Sequence, residues 1–303
     1  MISSEPSQRL PVSVVIVNYN AGDLLTDCVG RVLGQVQEVI VVDNASSDGS
    51  LARLVEKFHM TAHLRTVCLS RNRGFAAGCN SGLEKTIQPY ILFLNPDCLL
   101  HSTALPRMMA VIEKNERIGM AGGRLVNPDG SEQRGSRRMI PTPWRSFVYA
   151  FGLNRFAERW PRLFADFNQN RQSLPSEPVE VEAVSGAFML LKRKALDHVG
   201  RWDEKYFLHC EDLDLCMRFR QKGWQIFFVP DAVGLHYQGT CGATSYLRVE
   251  WHKHKSMKVF YRKFFRYRYP GFLMWLVQIA VWVRFAGLAV IYAARRFKKG
   301  WSL

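Results

Sequence analysis

Residues 12–20 read VSVVIVNYN, and the fold turns on how they are read. Val12–Val17 is a β-branched apolar run, as expected of a strand buried on both faces in a parallel sheet. Outward from it, Leu24–Leu33 predicts a helix, Glu38–Val42 (EVIVV) a second strand and Leu51–Phe58 a second helix. Leu64–Leu69 then predicts a third strand, Phe75–Lys85 a helix and Tyr90–Leu94 (YILFL) a fourth strand. This βαβαβαβ rhythm implies an α/β fold, a mostly parallel sheet covered by helices. Ligands of such sheets sit at the carboxyl ends of the strands.

Each of those ends is polar: Asn18-Tyr19-Asn20, Asp43-Asn44, Asn72-Arg73 and Asn95-Pro96-Asp97. Any one of them is explained by ordinary turn chemistry. Four in succession point to a site. No GxGxxG follows the first strand, which disfavours a dinucleotide fold. From Ser131 to Pro178 the pattern becomes irregular, basic and aromatic (Arg134, Arg137, Arg138, Trp144, Arg145, Trp160), a helical excursion with loops that covers the site. Val181–Lys192 predicts strand, Ser-Gly turn, strand, and Gln225–Val229 a last strand leading to His236. Between them, FLHCEDLDL (207–215) sets Glu211, Asp212 and Asp214 at the start of a helix running to Lys222. Carboxylates among apolar residues are costly unless paired or used. The plain alternative is that all three complement the helix dipole.

The 303 residues carry a formal net charge of +15, of which +12 falls between Trp251 and Leu303, a stretch without Asp or Glu. That asymmetry predicts a basic appendage for an anionic surface, lipid or nucleic acid. The seven cysteines form no CxxC pair, and MISSEPSQRLP has no apolar signal segment, so a reduced cytosolic compartment is expected.

The stretches VSVVIVNYN, VVDNASSDGS, NRGFAAGCNSG, FLNPD, VSGAFMLLKR, GRWDEKYFLHCEDLDLCMRFRQKGW and VPDAVGLHY resemble, in order, the family 2 glycosyltransferases with a GT-A (Rossmann-like) fold, especially the bacterial rhamnosyltransferase-like branch. The match runs from about residue 11 to 237. It implies an inverting transfer of a sugar from a nucleotide diphosphate, dTDP-rhamnose first, to a lipid-linked saccharide of a cell-surface polysaccharide. It also implies a divalent cation, Mg²⁺ or Mn²⁺, to neutralise the departing diphosphate.

Where the family has Asp-x-Asp this chain has Asn95-Pro96-Asp97. The resemblance then implies Asp97 as metal ligand, Asn95 beside the nucleotide, and His236 as the late histidine on the metal. Asp43 matches the acid that accepts the pyrimidine ring N–H. Asn18, Tyr19, Asn20, Asn72, Arg73 and Gly78 would line the nucleotide pocket. Glu211-Asp212 matches the family pair in which the Asp is the base that takes the acceptor hydroxyl's proton. Glu211 would orient the acceptor or Asp212. Asp214 lies about 200° around the helix from Asp212 and points elsewhere.

Phe272–Ala294 is long enough to span a bilayer. Arg284 at its midpoint costs about 2.5–3.5 kcal/mol, and the Leu, Ile, Val and Phe residues return roughly 3–6 kcal/mol, so the sum is near zero. Basic clusters (Arg262–Arg268, Arg295–Lys299) flank both ends. A helix lying in the cytoplasmic leaflet is the preferred reading, and a single span the alternative. The expected division is a catalytic domain at 1–250 and a membrane-associating region at 251–303. Two rival functions remain: a sugar nucleotidyltransferase, whose Gly-rich Lys-bearing loop is absent here, and a non-catalytic basic module. Nucleic acid is not expected as a partner, since it leaves Glu211-Asp212 and Asn95-Pro96-Asp97 unexplained.

Overall fold

The structure is a computed structural model that describes residues 9–164, 167–237, 239 and 246–300, without the side chains of 150, 171 and 295–300. Cys241, the first eight residues and the side chains of the Arg295–Lys299 cluster lie outside the described residues. The first half alternates as the sequence predicts: β1 (Leu10–Asn18), α1 (Leu24–Val32), β2 (Val36–Asp43), α2 (Ser50–Phe58), β3 (Leu64–Cys68), α3 (Phe75–Leu83) and β4 (Tyr90–Leu94). Next come β5 (Cys98–Leu100), α4 (Ala104–Glu113) and β6 (Ile118–Val126). The excursion holds β7 (Arg137–Arg138), α5 (Pro143–Ala150), α6 (Pro161–Phe164) and β8 (Val179–Glu180), with short 3₁₀ turns between. The chain closes with β9 (Ala183–Val184), β10 (Phe188–Lys192), α7 (Arg193–Val199), α8 (Glu211–Gln221), β11 (Gln225–His236), α9 (Tyr246–Phe265) and α10 (Gly271–Gly300).

The main sheet runs β3-β2-β1-β4-β10-β6-β11-β5, with β8 on β11. Its first four strands are parallel, and β10 is antiparallel between β4 and β6. Alternation along β1 sends Val12, Val14 and Ile16 to one face, where α1, α2 and α4 pack, and Val15 and Val17 to the other, under α3, α7 and α8. Helices on both faces explain why β1 is apolar throughout. Gly78 of α3 lies against Val17, where an added Cβ would approach Cγ1 to 2.6 Å, so this glycine lets helix and strand pack closely. β11 does not stop at Val229. It continues to His236 through a register shift between Val229 and Val233, where Pro230 lacks a donor for the ladder.

α9 is part of the second core, through buried Phe260, Tyr261 and Phe265. The position between residues 250 and 251 therefore falls within a docked helix. α10 packs on α9 through Trp251–Trp282 and Tyr246–Tyr292 ring contacts of 4.9 and 5.3 Å. Its stretch Gly271–Ala294 is long and apolar enough to cross a membrane, and 11 % of its most apolar window is buried.

Candidate active site

Register sets the site. Asn18 pairs with Asp43 across β1 and β2, and Ile16 with Leu94 across β1 and β4, so Asn18, Asp43 and Asn95 emerge along one edge of the sheet. Buried Asn18 Nδ2 donates to Asp43 Oδ1 (2.8 Å), Ser46 Oγ (3.0 Å) and Ser50 Oγ (2.8 Å). Asp43 Oδ2 accepts from the Ser46 amide at 3.0 Å. A carboxylate has acceptor sites beyond two such bonds, so Asp43 retains capacity for a base N–H. Asn20 adopts φ 54° and accepts the Ser47 amide on Oδ1 at 2.8 Å, folding the loop after β1 onto the loop after β2. Tyr19 stands half-buried beside it. Asn44 holds the loop after β3, accepting the Arg73 amide (2.8 Å) and donating to Gly74 O (3.1 Å), while Asn72 Oδ1 accepts the Gly74 amide (2.9 Å). Gly74 has φ 88°, and a Cβ there would meet Phe207 O at 2.5 Å, so only glycine fits between this loop and the 207–210 segment. Gly78 is buried in the α3–β1 packing, and Arg73 Nη2 bonds the exposed Glu204 at 3.1 Å.

β5 pairs with the end of β11, matching Cys98 with His236, and so sets Asp97 against His236. Asp97 Oδ1 lies 3.1 Å from His236 Nε2, yet that oxygen is buried without an aligned hydrogen-bond donor. Gln133 gives the reason. Its Nε2 donates to His236 O at 2.6 Å, so its Oε1, 2.7 Å from His236 Nδ1, accepts the ring proton. The lone pair then sits on Nε2, to which Asn95 Nδ2 donates at 3.3 Å. In that tautomer the Asp97 carboxylate and His236 Nε2 are both acceptors 3.1 Å apart, an arrangement that suits a divalent cation. Among the described residues no third His, Cys, Asp or Glu joins them, so further ligands would come from water or a diphosphate, as suits Mg²⁺ or Mn²⁺.

Asn95 N donates to Ala187 O at 2.9 Å, and Gly186 N donates to Asp212 Oδ2 at 3.2 Å, so the 185–187 turn joins this pair to the start of α8. The chain enters α8 through His209 and Cys210, both left-handed at φ 67° and 66°, a strained approach of the kind found at functional sites. Burial, reinforced by the adjacent Asp212 charge, raises the Glu211 carboxyl well above its ordinary range, and its Oε2 has no partner. Burial thus favours the protonated form of the Glu211 carboxyl. Asp212 Oδ1 accepts the Leu213 amide at 2.7 Å, and Oδ2 accepts a short bond from Arg138 Nη2. Burial lowers the His209 imidazole to about 4, so it is neutral. Arg138 and Gln133 are the residues the sequence did not assign, although SEQRGSRR (131–138) marked their segment.

Asp97, His236 and Asp212 thus gather at the carboxyl edge of an α/β sheet whose fold is that of the GT-A glycosyltransferases. Residues 13–200 match the profile described as Glycosyl transferase family 2, and 138–295 that of Glycosyl transferase family group 2. The chain belongs to glycosyltransferase family 2 and is a glycosyltransferase. It is 26 % identical over 239 residues to the N-acetylglucosaminyl-diphospho-decaprenol L-rhamnosyltransferase of Mycobacterium tuberculosis, covering 74 % of this chain and 75 % of that one. It is 27 % identical over 176 residues to the rhamnosyltransferase WbbL of Escherichia coli, covering 57 % and 62 %. Its fold resembles the mannosyltransferase PcManGT from Pyrobaculum calidifontis in complex with GDP-Man and Mn²⁺ (TM-score 0.56, 17 % identity, 97 % and 82 % covered). It also resembles GalNAc-T7 with UDP, GalNAc and Mn²⁺ (TM-score 0.58, 17 % identity, 84 % of this chain and 48 % of that one). The nucleotidyltransferase and non-catalytic readings give way to this membership.

Proposed function

We propose that the chain transfers rhamnose, with inversion, from dTDP-rhamnose to a lipid-linked saccharide at the cytoplasmic face of a bacterial membrane. The observation that carries the reading is the joining of Asp97–His236 to Asp212 through the 185–187 turn. Asp212 accepts the acceptor hydroxyl's proton as that oxygen attacks the anomeric carbon, and neutral Glu211 orients the acceptor beside it. Asp97 and His236 would hold the divalent cation, which neutralises charge on the departing diphosphate. Asn18, Tyr19, Asn20, Asp43, Asn72 and Asn95 would line the nucleotide. The two rhamnosyltransferase relatives favour the sugar, and the decaprenol-linked acceptor named for one of them favours a lipid-linked acceptor. The exposed apolar stretch of α10 and the basic C-terminal region favour an anionic leaflet.

The test is a donor panel of UDP-, GDP- and dTDP-sugars with Mn²⁺, read by thermal shift and by transfer. Asp212→Asn should lose about 10²–10⁴-fold in transfer while still binding the stabilising donor. Turnover within about tenfold of the unaltered chain would remove Asp212 from the role.

A further inference from the structure

α5 and the turns after it carry their large apolar side chains outward. Trp144, Phe147 and Phe151 are 45, 45 and 66 % exposed and stand three and four residues apart, one stripe of a helix, while Pro143 and Val148 face inward. Phe156, Trp160 and Leu163 repeat that spacing and are 39, 47 and 55 % exposed. The rings of the first stripe contact one another, Trp144 stacked on Phe147 at 5.6 Å and Phe147 tilted against Phe151 at 4.5 Å. Arg155, Arg159 and Arg162 rise among them with a single acid, Glu158, and two of these guanidinium groups lie over rings, Arg155 on Phe156 (4.8 Å) and Arg159 on Trp160 (5.2 Å). Aromatic rings interleaved with arginine are the composition of a membrane–water interface.

α5 and α10 both pack on α9. Ser146 of α5 bonds the Tyr261 hydroxyl of α9 at 2.6 Å, and α9 carries α10 through Trp251–Trp282 and Trp251–Phe285 contacts. One helix thus links both exposed apolar elements. We infer that residues 143–164 form a second membrane-contacting element, which lies in the headgroup region of an anionic bilayer and, with α10, holds the transferase over the leaflet in one orientation. The inference rests on the membrane reading of α10 proposed above. α10 alone would leave the catalytic domain free to rotate about its axis. A second contact removes that freedom and presents the Asp212 side, to which Arg138 of the same excursion is bonded, to a lipid-held acceptor.

The experiment is hydrogen–deuterium exchange of the full chain with and without phosphatidylglycerol vesicles, alongside co-sedimentation. Peptides spanning 143–164 and peptides of α10 should both gain protection. A Phe147→Ser, Phe151→Ser, Leu163→Ser variant, with melting midpoint and dTDP binding retained, should lose about tenfold or more in vesicle affinity and its protection at 143–164. Arg155→Gln with Arg159→Gln should weaken binding to these vesicles and not to phosphatidylcholine. Protection of α10 with 143–164 unchanged would overturn this inference and leave the membrane reading standing. Protection of neither would overturn both. A vesicle-free dimer that the triple variant abolishes would make the stripe a contact between copies and also overturn it.

Discussion

Replacing Gln133 with leucine should loosen the proposed cation site while leaving both proposed ligands, Asp97 and His236, in the sequence. Gln133 is buried at 3 % exposure, and its two bonds to His236, 2.6 Å to the carbonyl and 2.7 Å from Nδ1, fix both ring orientation and tautomer. Leucine has similar volume and neither bond. The ring proton can then move to Nε2 and be donated to Asp97 Oδ1, 3.1 Å away, so the two lone pairs that face a cation bond each other instead. Loss of such an outer hydrogen bond costs about 10–100-fold in metal affinity, or about 1.4–2.7 kcal/mol. An unsatisfied buried carbonyl adds about 1–3 kcal/mol of lost stability. Gln133→Glu should behave differently, because its carboxylate still accepts the Nδ1 proton and keeps the lone pair on Nε2. The assay is calorimetric titration of Mn²⁺ into each full-length chain saturated with dTDP, with ¹⁵N spectra of the histidines reporting the tautomer. A leucine variant with the affinity and Nδ1-protonated spectrum of the unaltered chain, or a glutamate variant that loses that spectrum, would refute the reasoning.

Two further outcomes concern the acids of α8. Because the folded carboxyl of Glu211 is raised above its ordinary 4.5, the folded chain keeps a proton that the unfolded chain releases, and stability falls as pH rises from about 5 toward the raised value. Glu211→Gln cannot titrate, so its melting midpoint should gain on the unaltered chain across that window and not below it; parallel curves from about pH 5 to 9 would contradict this. Asp214 is fully buried and accepts from Arg218 Nε (2.7 Å) in its own helix and Lys263 Nζ (2.5 Å) in α9. Asp214→Ala leaves Arg218 without its carboxylate and Lys263 with Asp203 alone, and should cost about 3 kcal/mol in denaturant unfolding, with dTDP binding by the folded fraction preserved; a loss under about 1 kcal/mol would deny α9 this anchor.

The parallel half of the fold was legible because a strand buried on both faces writes its state into consecutive residues, as Val12–Val17 and Tyr90–Leu94 do. β6 was not read. Its sequence, IGMAGGRLV, has few β-branched residues, and it is a strand because β10 and β11 pair with it on either side. The order of motifs pointed to Asp97, Asp212 and His236, which the fold joins through the 185–187 turn. Gln133 and Arg138 escaped because their partners lie 103 and 74 residues away, and a glutamine or arginine in a basic loop carries no local mark of its partner. The basic charge of the C-terminal region suggested an appendage from residue 251. It hid the apolar residues of α9, Phe260, Tyr261 and Phe265, that pack under the sheet, and Lys263, whose charge is spent on Asp203 and Asp214.

The three acids at 211–214 show how one helical turn holds three chemistries. All stand where the dipole of α8 favours negative charge, so that term cannot tell them apart. What separates them is the element each meets. Asp214 meets α9 and becomes an anchor between helices. Glu211, buried without a partner at Oε2, responds by keeping its proton. Asp212 alone meets a backbone N–H of the turn that reaches Asn95, together with the guanidinium of Arg138 from the excursion. Its position is therefore set from both sides, by the strand end that carries the proposed nucleotide residues and by the segment that, on the membrane reading, faces the acceptor. On the proposed role, an acceptor hydroxyl would meet an Asp212 already bonded to Arg138 through Oδ2 and to the Leu213 amide through Oδ1, which would make the excursion part of the catalytic geometry.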